Sequence, residues 1–121
     1  MPAPSPLAIA TQSVNRLVKE ETYYRKELSQ QTERVKKLQE KPTGTGSEST
    51  DGNEEFMLKQ EQKAIEETRA VFAPLRERID DAVRRLEEQI ATAESEDGPA
   101  EEIANAKKAL ELGRAPSSAA A

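Results

Sequence analysis

The chain has 121 residues, with no Cys, His or Trp, 34% charged and 3% aromatic side chains, and a net charge of −5. Without Cys or His it can build no zinc finger, no His-held haem, no Ser-His-Asp triad and no disulfide, so an enzyme would have only carboxylates, Lys, Tyr and Ser/Thr to work with. Ala, Glu, Lys, Leu and Arg supply 63 residues, a share typical of long helices, whereas Leu, Ile, Val and Phe supply 21, so periodicity has to decide between helix and disorder.

In chain order, Met1-Pro-Ala-Pro-Ser-Pro6 has no basic stretch followed by an apolar one, so no signal peptide is expected; residues 1–10 form a tail or helix start. A first helix is expected over about 11–41, entering at Ser5 or Thr11 with Pro6 tolerated in its first turn. Residues 42–52 hold three glycines and nothing apolar to bury, which predicts a flexible loop. A second helix is expected over 53–95, with Asp51, Asn53 and Glu54 as capping residues. Gly98-Pro99 predicts a break, Gly98 past one helix end and Pro99 opening a third helix over 99–112, closed by Gly113. Residues 114–121 read as a tail. Mean hydropathy is −0.84 and no apolar run approaches 18 residues, so no transmembrane helix is expected.

Apolar spacing argues against disorder. In the first helix Leu7, Val14, Glu21, Leu28 and Val35 recur every seven residues, and so do Ala10, Leu17, Tyr24, Gln31 and Leu38. In the second, Leu58, Ile65, Phe72, Ile79, Leu86 and Ala93 form one series and Glu61, Thr68, Leu75, Ala82 and Gln89 the other. The loop folds the second helix back antiparallel, so facing residue numbers add to about 95: Leu28 opposite Thr68, Tyr24 opposite Phe72, Val14 opposite Ala82. Charge agrees, with a net +3 over residues 14–41 against −7 over 51–97. Glu21 interrupts the seam where Arg76 or Arg78 can reach it. Pro74 removes one backbone donor, yet Phe72, Leu75 and Ile79 keep phase across it, which predicts a kink in a continuous helix. Val18, Val83 and Ile90 widen the seam at one end, and Ile103, Ala106 and Leu110 of the third helix can cover it. The expected fold is all-α: an elongated three-helix bundle of two long antiparallel helices, the second kinked at Pro74, and a shorter third.

These residues carry a family resemblance. Arg16-Leu-Val-Lys-Glu20, Tyr24, Lys26-Glu27, Gln30-Gln31 and Lys37-Leu38 resemble the first helix of tubulin-folding cofactor A; Glu66-Glu67-Thr68-Arg69, Pro74 and Arg85-Leu86 resemble its second. The likeness runs from about Val14 to Leu110, and loop 42–52 departs from it by being longer and richer in Gly and Ser. It implies a cytoplasmic, cytoskeleton-associated chaperone, not an enzyme, that captures folded or quasi-native β-tubulin through its helical faces on the way to α/β-tubulin assembly. The matching outward positions implied as partner-binding are Arg16, Lys19, Glu20, Lys26, Glu27, Glu66, Glu67 and Arg69.

Tyr23 joins them on different grounds. It lies off the seam beside Tyr24, so it points outward, either as an interface anchor or lying along its own helix. Glu66/Glu67 and Asp80/Asp81 are sequence neighbours about 100° apart on a helix and do not converge as an acid/base couple. The cluster Arg34, Lys36, Lys37, Lys41 sits in a chain of pI about 5.0 without stacking aromatics, which argues against nucleic acid. No cofactor, metal or membrane partner is expected, and the chain is expected to be a monomer or weak homodimer. The alternative on the same residues is a generic coiled-coil homodimer or scaffold subunit of a larger complex.

Overall fold

The computed structural model describes residues 3–40 and 53–115. They form three helices, α1 (Pro6–Glu40), α2 (Asn53–Ser95) and α3 (Ala100–Arg114), with no strand among the described residues. This is the all-α three-helix bundle the periodicity implies. Lys41, loop 42–52 with its capping residue Asp51, and tail residues 116–121 lie outside the described residues. Every position of the four heptad series is buried or half-buried, including the polar ones. Helix α2 runs unbroken through Pro74, which is exposed.

Helix ends differ from expectation in ways local chemistry explains. Helix α1 starts at Pro6, so of the two expected entries Ser5 is the one used and Thr11 is not, because Ser5 caps it: its Oγ accepts the Ala8 N–H at 3.1 Å and donates to Glu102 Oε1 at 2.7 Å. At the end of α2 the left-handed residue is Asp97 (φ 53°), one position before the expected Gly98. The Asp97 N–H reaches Glu94 O at 3.4 Å and the Gly98 N–H reaches Ala93 O at 2.7 Å, the paired bonds of a Schellman stop. Asp tolerates the left-handed region. Gly98 serves instead for close approach, since a methyl group there would meet Ala93 O at 3.2 Å. Pro99 stands at the N-cap of α3 with extended backbone, not inside its first turn.

The chain divides into two compact units, Met1–Thr22 with Ala73–Ala121, and Tyr23–Phe72. In the first unit three helices meet. Ser5–Glu102 and Val14–Gly113 show α1 and α3 running parallel, while Lys107–Glu94 (2.8 Å) and Arg114–Glu87 show α3 antiparallel to α2. Ten of the eleven buried apolar side chains among the described residues are here, among them Val14, Ile79 and Leu86, the largest with essentially no exposure. Thr11 is buried as well, its hydroxyl satisfied by Leu7 O at 2.8 Å.

Helix α3 presents a different face from the expected Ile103/Ala106/Leu110. Its buried residues are Ala106, Ala109 and Gly113; Ile103 and Leu110 are half-buried. Gly113 therefore does not close the helix. It lies inside it, and a methyl group there would sit 2.6 Å from Val83 Cγ2 and 3.0 Å from Val14 Cγ1. Only a residue without Cβ lets α3 come this close. Arg114, expected in the tail, is the last helical residue and pairs with Glu87. Above Gly113 the Arg76 guanidinium joins all three helices: Nη2 donates to Gly113 O at 2.5 Å, Nη1 lies 3.5 Å from Glu21 Oε2, and Nε lies 3.4 Å from Asp80 Oδ1. The seam glutamate is thus met by one of the two arginines expected to reach it.

The second unit pairs the later part of α1 with the earlier part of α2. Its core is thin: Ile65 is its one buried apolar residue among the described residues, with Thr68 and Gln31 buried beside the half-buried Tyr24, Leu28, Val35, Leu38, Leu58 and Phe72. Arg34 Nε–Glu61 Oε1 at 3.0 Å has residue numbers adding to 95, the expected antiparallel register.

Substituting Gly113→Ala is expected to lower stability by about 1–2 kcal/mol, overpacking outweighing the gain in helix propensity, and adding Val83→Ala is expected to recover part of that loss; urea unfolding followed by circular dichroism measures both. Arg76→Leu should cost about 2 kcal/mol, a value reduced for partial exposure, because it weakens the support of a buried carboxylate. Pairing it with Glu21→Leu should restore most of the loss in the same assay.

Candidate functional site

Helical periodicity decides which side chains are left for a partner. With seam positions turned inward, most residues between them turn toward solvent; the family resemblance picks eight of those as candidates, and the off-seam spacing adds Tyr23. In the first unit α1 carries Arg16 and Lys19 exposed and Glu20 half-buried. In the second, α1 carries Tyr23 and Lys26 exposed and Glu27 half-buried, and α2 carries Glu66, Glu67 and Arg69 exposed. Seven of the nine are thus fully at the surface, while Glu20 and Glu27 edge the seam.

Several charges elsewhere are committed within the fold: Arg34 to Glu61, Arg76 to Glu21 and Asp80, Arg84 to Asp81, Lys107 to Glu94 and Arg114 to Glu87. Among the described residues none of the nine candidates forms an ion pair or side-chain hydrogen bond. A partner's charges can therefore meet them without first displacing an internal bond. Tyr23 is 60% exposed while Tyr24 is half-buried, and their rings stand edge-on with centroids 5.3 Å apart. The two tyrosines divide as the spacing indicates, one inward and one outward.

Catalytic geometry finds little support in these side chains. Asp80 and Asp81 are held by different arginines, and Glu66 and Glu67 are exposed neighbours on one helix. Among the described residues no group of three or more Asp/Glu could hold a metal ion, and no helix is long and apolar enough to cross a membrane.

Seam spacing leaves Phe56 and Met57 off the buried stripe, but patterning misses the exposed Ile9 and Leu112. Leu112 is 55% exposed and Ile9 53%, both in the first unit, and Phe56 and Met57 are exposed in the second. Leu112 turns outward because Ala106, Ala109 and Gly113 define the buried face of α3. The small-residue spacing 106, 109, 113 is the signal from which its orientation follows.

The described helices thus present free polar side chains along their outer faces and a small number of exposed apolar ones. The family model for tubulin binding cofactor A matches residues 2–110, and the chain belongs to that family. It is 30% identical over 108 residues to tubulin-specific chaperone A of Saccharomyces cerevisiae, covering 89% of this chain and 90% of that protein. No solved structure matches the chain.

Replacing Tyr23 with Ala is expected to change stability by no more than about 0.5 kcal/mol, as at ordinary surface positions. Replacing the seam residue Tyr24 should cost about 2 kcal/mol or more. Denaturant titration of the two variants side by side measures the contrast.

Proposed function

We propose that this chain captures folded or quasi-native β-tubulin and holds it on the way to assembly with α-tubulin, without catalysing a covalent step. The observation that carries this reading is the family match across residues 2–110, which takes in α1, α2 and most of α3. The relative's name as a tubulin-specific chaperone supports the client. In this reading Arg16, Lys19, Glu20, Tyr23, Lys26, Glu27, Glu66, Glu67 and Arg69 meet the client. The mechanism is mass action: binding the client's folded form stabilises it by RT ln(1+[L]/Kd), about 2.7 kcal/mol at a hundredfold excess over Kd. Exposed charges give this contact fast, salt-sensitive association. The place of action is the cytoplasm, in association with the cytoskeleton, and the acting form is a monomer or weak homodimer.

A second reading, a coiled-coil homodimer or scaffold, draws on the exposed Phe56 and Met57 of the second unit. Gel filtration with folded β-tubulin free of α-tubulin separates the two. Co-elution with β-tubulin at low salt, reduced at high salt, is expected. A stable oligomer of the chain alone that leaves tubulin untouched would favour the scaffold.

A further inference from the structure

In the first unit, α1 and α3 enclose an open hollow of about 690 Å³, lined chiefly by Gln12, Asn15, Arg16, Val18 and Lys19 of α1 and Leu112 of α3. Its apolar ground is the half-buried Val18 and the exposed Leu112. Its charge is entirely cationic, from Arg16 and Lys19, which form no ion pair among the described residues. The nearest carboxylates in sequence, Glu20 and Glu111, lie outside the lining. In a chain of net charge −5 this is a local reversal of sign.

We infer that this hollow receives an acidic amphipathic helix on the surface of the folded client. The lining residues of α1 recur at helical spacing and form a face along which another helix can lie, with Leu112 of α3 at its edge, and an apolar side chain of that helix, packed on Leu112 and Val18, is the anchor. Asp or Glu one turn away on the same helix meets Arg16 and Lys19 as charge-assisted partners. Gln12 and Asn15 extend the groove with amide groups that bond to polar side chains at its rim. A nucleic-acid strand is a poor fit, since the hollow has two cations and no aromatic to stack on. A second copy of this chain meets long-range repulsion from its own net negative charge.

The inference rests on the tubulin-capturing reading above, and folded β-tubulin free of α-tubulin is the probe. Affinity is measured by calorimetry at low and high salt for the full chain and for three variants checked for unchanged helicity by circular dichroism. Charge reversal of Arg16→Glu with Lys19→Glu is expected to weaken binding roughly tenfold or more and to flatten its salt dependence. Leu112→Ser is expected to weaken binding roughly tenfold with its salt dependence kept. Arg85→Glu, an exposed reversal on α2 outside the hollow, is expected to bind within about twofold of the unaltered chain. If the unaltered chain fails to bind tubulin, the functional reading falls and this inference with it. If it binds but the hollow variants bind equally well, or Arg85→Glu weakens binding as much as they do, the hollow is overturned while the functional reading stands. Sedimentation of the chain alone supplies the remaining outcome: a homodimer that Leu112→Ser converts to monomer would assign the hollow to a second copy and overturn the proposal.

Discussion

At Gly113 a hydrogen takes the place of a side chain, and the three-helix unit depends on it. With Val83 Cγ2 and Val14 Cγ1 crowding the space where a Cβ would stand, α3 lies closer to α1 and α2 than any other residue there would permit. Close approach brings the Gly113 carbonyl under the Arg76 guanidinium, which also meets Glu21 of α1 and Asp80 of α2. Packing and polar bonding thus converge on one point. The unit holds nearly all the buried apolar side chains among the described residues because only there do three faces close on one another.

The other unit is built on a different balance. Two helices cannot enclose a core as three can, so most of its seam residues remain half-buried and, among the described residues, Ile65 is the one apolar side chain that is buried. Polar seam residues such as Gln31 and Thr68 add little apolar stabilisation, and the surface keeps Tyr23, Phe56 and Met57 exposed. Segments with few buried contacts open more readily than a close-packed core. A chaperone surface gains from that arrangement, since side chains unpaired within the fold meet a client with less internal bonding to break.

Much of this architecture is legible in residue spacing. The seven-residue series placed all of their members, polar ones included, at buried or half-buried positions, and the antiparallel register is reproduced by Arg34–Glu61 and by Arg76–Glu21. Continuity of α2 through Pro74 follows from the unbroken phase of Phe72, Leu75 and Ile79. Seven of the nine residues from Arg16 to Arg69 are exposed as the same periodicity indicates, while Glu20 and Glu27 are half-buried at the edge of the seam. Helical Lys and Glu alone are ordinary solvated surface.

What sequence by itself determined is each long helix and the stripe it hides, since both follow from local propensity and a repeat visible in the chain. Tertiary structure decided the rest: that Gly113 is an inner contact and not a stop, that Asp97 takes the left-handed turn, that Thr11 is buried, and that Leu112 faces out over Arg16 and Lys19. A glycine, a threonine or an aspartate has more than one low-energy use. Which one it takes depends on the neighbour that folding brings against it, and that neighbour is distant in sequence.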